Sequence, residues 1–335
     1  MLGHDFNQHW TCRHLEEQGN GTPVTLPHDA MLAEPRTRES AGGTNTGWFV
    51  GRDYLYEKIF DYQPEWDSQV LILEFEGVYR NAEVWLNGVR LAFRPYGYTN
   101  FYVDLTAHLE RKTPNRLQVI ARNADQPNSR WYSGAGLYRP VQLWTAGDKH
   151  ILLNGVRIRT VSLEPAVVEI RVRTSAPGTV QLMVEGLPTV RNESDGEAVF
   201  TLTIDNARLW TPETPNLYRC RVQFADDEAV ETFGVRTVSW GKNGFTLNGE
   251  RVIIQGACIH HDNGLLGAVC DPDAVARKVR LLKETGYNAI RSAHNPCSKA
   301  LLAECDRQGM LVMDEYIDHW YIHKTEYDYV PYFAD

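Results

Sequence analysis

DPDAVARKVRLLKETGYNAIRSAHNPCSKALLAECDRQGMLVMDE, residues 271–315, is the stretch that decides the fold. Asp271-Pro272 places an N-cap before a first-turn proline, Val275, Val279 and Leu282 recur at helical spacing, and Gly286 closes the helix. YNAIRSA then predicts a strand, Ser298 to about Gln308 a second helix stopped by Gly309, and MLVMDE another strand. Just upstream, FTLNGERVIIQGA (245–257) predicts a hairpin followed by an apolar strand. Strand–helix–strand–helix–strand is a parallel βαβ unit with right-handed crossovers. The segment 241–335 holds about 95 residues and three strands, whereas an eight-stranded α/β barrel takes about 250. Three parallel strands with two open edges bury little. The expectation is therefore the first βα units of an incomplete (β/α)8 TIM barrel, truncated in YDYVPYFAD, which carries no stop signal.

Moving outward, residues from about 150 to 240 change to short alternating strands punctuated by Pro, Gly and Asp: ILLNGVRIRT, VVEIRVRT, TVQLMVE, AVFTLTI, LYRCRVQF and 229–240. Six or seven strands in about 90 residues fit an immunoglobulin-like β-sandwich, without the Cys-Trp-Cys spacing of antibody domains. Residues from about 45 to 145 form a further all-β unit. VLILEFEGV (70–78) is an apolar strand, and EVWLNGVRL (83–91) is strand, Asn87-Gly88 turn, strand. FYVDLT, RLQVIA and VQLWT follow at sandwich spacing. The expected division is 1–148, 149–240 and 241–335.

Composition narrows the class. Apolar residues are 43% and charged residues 23% of 335, as in globular domains. No apolar run is long enough to span a bilayer, and MLGHDFNQHW has neither the basic nor the apolar region of a secretory signal, so a cytoplasmic location is expected. With 34 Lys plus Arg against 43 Asp plus Glu, the net charge of −9 argues against nucleic-acid and anionic-membrane partners. Self-association into a homo-oligomer is left open. The six cysteines lie far apart without a C-x-x-C, so buried reduced thiols are expected rather than a disulfide scaffold or zinc ribbon.

In parallel α/β folds, functional residues sit at the C-terminal ends of strands. Three clusters take such positions: His260, His261 and Asp262; Arg291, His294 and Asn295; and Asp314 and Glu315, with Asp318, His319 and Trp320 just beyond. One polar cluster at a strand end is ordinary, but three on consecutive strands point to a site. A metal set of His260, His294 and His319 lacks motif spacing. A nucleophilic Cys258 or Cys297 beside His294 lacks a local signature. Arg291 is also placed to neutralise Asp314 or Glu315.

These residues resemble a known family. Asn288-Ala-Ile-Arg291-Ser-Ala-His294-Asn-Pro296, then Leu301-Leu302, Asp306, Gly309 and Met310–Met313, follow the signature of the family 2 glycoside hydrolases, which include β-galactosidases, β-glucuronidases and β-mannosidases. TLPHDAM (25–31), GWFVGRDYLYEKIF, VYRNAEVWLNGV and SGAGLYRPV resemble that family's N-terminal sugar-binding jelly roll. LWTPETPNLYRCRV and FGVRTVSW resemble its immunoglobulin-like domain. GACIHHDNGLLGA and DEYIDHWYIHKTEYDYVPYF look most like the galactosidase branch, and the resemblance covers nearly the whole chain.

The resemblance implies cleavage of β-glycosides with retention, by an acid/base glutamate that follows an Asn and a glutamate nucleophile several barrel strands later. The sole Asn-Glu, Asn192-Glu193, falls in the second sandwich and reads as a turn, so no catalytic residue is assigned and the chain alone is expected to be inactive. The resemblance further implies that His261 and His294 donate hydrogen bonds to sugar hydroxyls and that Asp314 and Glu315 orient these groups. Asp318 and Trp320 would line the pocket, and the Gly134–Gly136 loop would reach over from the jelly roll with Asn128, Arg130 and Trp131. Ile317 stands where magnesium-binding members carry His, so neither metal nor cofactor is expected. A β-linked saccharide, probed as galactoside first and glucuronide second, is the expected partner. A non-catalytic carbohydrate-binding fragment, or a fragment completing its barrel on another polypeptide, are the alternatives.

Overall fold

The structure is a computed structural model that describes residues 1–318 and 322–332. Its N-terminal unit is a sandwich of two antiparallel sheets. One has the order Leu2–Asp5, Val141–Ala146, Val70–Phe75, Phe101–Asp104. The other runs Thr22–Val24, Trp10–His14, Asp53–Phe60, Asn115–Arg122, Ala82–Leu86, Val89–Arg94. Alternation drives the layering: in Asn115–Arg122, Leu117, Val119 and Ala121 are buried in the core while Arg116 and Arg122 face out. The hairpin turns at Asn87 (φ 51°) and Gly88 (φ 83°), as a two-residue loop with both positions left-handed requires. Asn87 Oδ1 also accepts the Arg116 amide at 2.9 Å, tying the turn to the next strand.

The second sandwich has seven strands: Ile151–Leu163, Ala166–Thr174 and Glu197–Thr203 in one sheet, and Val190–Ser194, Gly178–Val184, Tyr218–Phe224 and Asp227–Phe233 in the other. Val168, Ile170, Val172, Val180, Leu182, Cys220, Val222 and Phe224 fill the space between them. Asn192 and Glu193 are ladder residues, Glu193 opposite Thr179. The turn that Ser-Asp-Gly signals begins only at Asp195, which corrects the reading of Asn192-Glu193 as turn residues.

A short antiparallel sheet (Val238–Gly241, Gly244–Leu247, Glu250–Arg251) leads into the parallel strands Gly256–Ile259, Ala289–Ser292 and Leu311–Asp314. Helix Pro272–Glu284 begins on Asp271, whose side chain accepts the Ala274 amide at 2.8 Å, and helix Lys299–Gln308 on Ser298, which accepts from Leu301. Val275, Val279, Leu301 and Cys305 are their buried stripe against Ile290 and Met310. The first parallel strand starts at Gly256, not at the apolar run Val252–Ile254. The Asn288 carboxamide accounts for this: it donates to the Ile253 carbonyl and accepts from the Gln255 amide at 2.8 Å, replacing a ladder there, and Ile253 and Ile254 stay exposed. Among the described residues no helix is long and apolar enough to cross a membrane.

The second sandwich meets the parallel unit through Trp210, whose Nε1 donates to the Asp306 carbonyl at 2.8 Å, and through Lys283, which donates to the carbonyls of Pro212 and Gly309. Gly309 is left-handed (φ 75°), and a Cβ there would stand 2.3 Å from the Pro212 carbonyl oxygen. Gly309→Ala should therefore lower stability by more than about 1 kcal/mol, read as a shifted midpoint in urea unfolding. A midpoint equal to that of the unmodified chain would show that this contact does not constrain the helix end.

Candidate functional site

The C-terminal ends of the three parallel strands meet the loops of the N-terminal sandwich. His260 follows the first strand, and its Nδ1 donates to the Ala293 carbonyl at 2.7 Å. His294 follows the second, and its Nδ1 faces Glu315 Oε2 at 2.8 Å. Glu315 follows the third, and its Oε1 accepts from Arg291 Nε at 2.7 Å. A second Arg291 nitrogen contacts the same oxygen, and its NH1 reaches Cys258 Sγ at 3.3 Å. The chain of contacts Cys258–Arg291–Glu315–His294 thus crosses all three strands. Trp131 closes it from the sandwich side, stacked on His260 with centroids 5.1 Å apart and planes 8° from parallel, and 5.4 Å from the His294 ring.

Those bonds decide the chemistry of the imidazoles. With Nδ1–H donating to a carbonyl or carboxylate, the neutral ring carries its lone pair on Nε2. In His260 and His294, Nε2 is then the nitrogen left for a ligand, an acceptor in the neutral ring and a donor in the protonated one. Glu315 has one oxygen on Arg291 and the other on His294, which ties the three side chains together.

The remaining expected residues divide. Asp314 is exposed, and its Oδ1 accepts the Cys297 amide at 3.0 Å. Asp318 is buried at the edge of the site, taking Arg130 at 2.8 Å and Lys324 at 2.6 Å. Asp262 is half-buried, and its carbonyl accepts from Lys278. Asn295 is fully buried: Oδ1 accepts from the Tyr96 hydroxyl, and Nδ2 is enclosed without a partner. Trp131 is 8% exposed and donates from Nε1 to the Tyr98 hydroxyl at 3.1 Å, so it is a wall behind the histidines more than a free stacking face. Trp320 and His319 lie outside the described residues.

His261 is not brought to this group. Its ring packs on Tyr98 (centroids 4.8 Å), Arg139 NH2 stands 3.5 Å from Nδ1, and Nε2 is buried without a partner. Burial, then the nearby charges of Arg139, His260 and Lys278, hold its pKa well below the ordinary value. The structure thus places His261, expected to contact the sugar, as a neutral ring packed on the sandwich. The Cys297 thiol is pushed up to about 12, by burial and then by Asp314, so a thiolate nucleophile is disfavoured there. Among the described residues no cluster of three His, Cys, Asp or Glu side chains is placed to hold a metal ion.

Two residues that join the units escape the sequence. Arg139, 2% exposed, donates to the carbonyls of Tyr98 and Pro296, both at 2.9 Å. Asp29, also 2% exposed, accepts the amides of Met31, Ala135 and Ala268 and the Tyr132 hydroxyl. Burial raises the Asp29 pKa against the pull of those donors. The signal for Arg139 is a charge inside the apolar stretch GLYRPV. For Asp29 nothing local gives it away.

Comparison with known proteins fits this arrangement. Three consecutive domain models of one family match the chain: a galactose-binding domain-like unit over residues 11–159, the glycosyl hydrolases family 2 domain over 155–236, and the family 2 TIM barrel domain over 238–321. The chain belongs to glycoside hydrolase family 2. It is similar to the β-galactosidase BoGH2A of Bacteroides ovatus, at 38% identity over 93% of this chain and 40% of that protein. A putative β-glucuronidase of Formosa agariphila is 33% identical over 89% of this chain and 30% of its own length. The crystal structure of a β-glycosidase from Bacteroides vulgatus superposes with a TM-score of 0.93 at 29% identity, covering all of this chain and 47% of that one. The chain spans less than half the length of each.

The buried His261 has a measurable consequence. Its folded-state pKa lies below the unfolded value of about 6.5, so the unfolded chain binds the extra proton first. Its contribution to stability is present above that pH and is lost as pH falls below it, by at most about 1.4 kcal/mol per pH unit. Urea unfolding from pH 7.5 to 5 should show a shallower loss for His261→Phe than for the unmodified chain. Parallel curves would mean the ring takes up its proton in place.

Proposed function

We propose that this chain supplies the sugar-holding side of a retaining β-glycosidase site that acts on terminal β-galactosides. The observation that carries the reading is the network Arg291–Glu315–His294 with His260 against Trp131. It fixes two imidazoles side by side, ring centroids 5.8 Å apart, where adjacent hydroxyls of a pyranose can hydrogen-bond to the Nε2 of each. Retention needs one carboxyl to protonate the leaving oxygen and another, about 5 Å away, to attack the anomeric carbon. We assign neither to a residue of this chain. Glu315 is paired with Arg291 and His294, and Glu193 lies on a strand of the second sandwich with its carboxylate on the Thr179 hydroxyl.

The galactoside preference is favoured over the glucuronide because the two cations at the edge of the site, Arg130 and Lys324, are already paired with Asp318. A uronate carboxylate would have to compete with Asp318 for them. The similarity to a β-galactosidase supports the same choice.

On this reading the 335-residue chain should release no chromophore from a nitrophenyl β-galactoside above a buffer blank. Methyl β-galactoside should shift the His260 and His294 imidazole resonances in a titration followed by NMR, and methyl β-glucuronide should shift them at least about tenfold less at equal concentration. Turnover lost in Glu315→Gln would sink the division of roles proposed here, and a stronger response to the glucuronide would reverse the substrate choice.

A further inference from the structure

A groove of about 380 Å³ crosses the outer face of the second sandwich, lined by Arg157, Ile158, Arg159, Glu169 and Arg171, and shares no residue with the strand-end site. Val168, Ile170 and Val172 point into the core, so Glu169, Arg171 and Arg173 of the same strand face out. Register sets Arg159 opposite Glu169, and Arg157 directly opposite Arg171. The first pair is complementary. The second is not, and like charges directly opposite each other weaken an antiparallel pair. Glu169 shows how this face treats a carboxylate. Its Oε1 accepts from Nε of Arg159 and Nε of Arg171, both at 2.9 Å, and its Oε2 accepts from Arg159 NH2 at 3.2 Å. Those bonds, from Arg159 and then Arg171, hold its pKa below the ordinary carboxylate value. NH1 of Arg171 goes on to Glu197 Oε2 at 2.9 Å. Both carboxylates of the face are thus taken by Arg159 and Arg171. Among the described residues the side chains of Arg157 and Arg173 have neither a hydrogen bond nor an ion pair.

The face therefore carries a local excess of positive charge on a chain whose net charge is −9. The planar guanidinium presents parallel N–H groups that match a carboxylate. By strand geometry Arg157 stands about 5 Å across the sheet from Arg171, and Arg173 about 7 Å along it. A ligand with carboxylates at several points along its length reaches both unfilled forks. The remaining outward positions of Val167–Arg173 and Glu197–Thr203 are Val and Thr. They provide no aromatic anchor of the kind that dominates protein interfaces, and no ring on which nucleic-acid bases could stack. A hydroxylated chain that bears carboxylates is held by the guanidinium groups without either, and Thr201, in register with Glu169, adds a hydroxyl beside them.

We propose that this face of the second sandwich docks a carboxylate-bearing polysaccharide, a polyuronate, through Arg157, Arg171 and Arg173. The inference does not rest on the reading of the strand-end site. The test titrates the full chain with a galacturonate tetramer, an uncharged galactose tetramer, a glutamate hexamer and a short DNA duplex, following the Arg157 Nε–H resonance by NMR with calorimetry in parallel. The galacturonate tetramer should shift that resonance saturably and the galactose tetramer should not. Raising the salt from about 20 to about 300 mM should weaken the binding about tenfold or more. Arg157→Gln should weaken it about fivefold or more without lowering the melting temperature, because the substitution removes a like-charge pair. Arg90→Gln, which takes the same charge from an exposed position of the N-terminal sandwich, should leave it intact. No saturable shift at low salt overturns the proposal, as does equal weakening by Arg157→Gln and Arg90→Gln. Tighter binding of the glutamate hexamer or of the duplex overturns it in favour of a protein or nucleic-acid partner. Self-association of Arg157→Gln with unchanged galacturonate binding overturns it too, and makes the arginine a guard of the sheet edge.

Discussion

A guanidinium buried where two domains meet is the constraint on which the strand-end site depends. Arginine cannot shed its charge inside a protein, and a buried cation is tolerated only when its N–H groups are satisfied. Arg139 meets that condition with backbone carbonyls, one of its own sandwich (Tyr98) and one of the barrel segment (Pro296). Moving the 293–297 loop away would leave the charge short of an acceptor. Asp29 imposes the complementary condition. Its carboxylate needs N–H donors, and it takes Ala135 from the sandwich and Ala268 from the loop after the first parallel strand. One cation and one anion of the sandwich thus each hold a different strand-end loop through backbone groups, so the hold is independent of the side chains those loops carry.

This geometry explains why the N-terminal sandwich belongs to the site and is more than a neighbour of it. The strand-end histidines come from the barrel segment, but the surface they rest against, Trp131, is fixed by the Tyr98 hydroxyl within a cluster of Tyr79, Tyr98, Tyr138 and Tyr329. Tyr329 joins that cluster from beyond the third strand, under the Arg80 guanidinium at 4.7 Å. Aromatic rings with one polar end can be both close-packed and hydrogen-bonded, which suits a seam that must be rigid and still carry polar groups to its edge.

What the sequence discloses follows the range of each interaction. As caps and turns, Asp271-Pro272, Ser298, Gly309 and Asn87-Gly88 act on residues at most four positions away, and each stands where its local pattern places it. The strand-end clusters were legible because a parallel fold puts strand ends on one rim. The sequence does not tell His260 from His261, because adjacent residues in a loop share one signal while their rings go to different surroundings, Trp131 for one and Tyr98 for the other. Val252–Ile254 was misread as strand because an apolar run cannot reveal that Asn288, over thirty residues later, will take its backbone groups. Asp29 and Ala268 are 239 positions apart, and no local pattern encodes such a bond.

Two carboxylates, Glu315 at the strand ends and Glu34 in the N-terminal sandwich, differ in how their valences are filled. Glu315 has one carboxylate oxygen on Arg291 and the other on His294, so it fixes both side chains relative to each other. The capacity this leaves for a ligand lies on the Nε2 atoms of the two imidazoles. Glu34 in the sandwich is half-filled, with one oxygen saturated and the other beside an unsatisfied arginine nitrogen. A carboxylate completed by protein groups works through those groups, whereas an incomplete one retains its own capacity to accept. On that criterion Glu315 fixes Arg291 and His294 at the strand ends, and Glu34 keeps one oxygen open inside the sandwich.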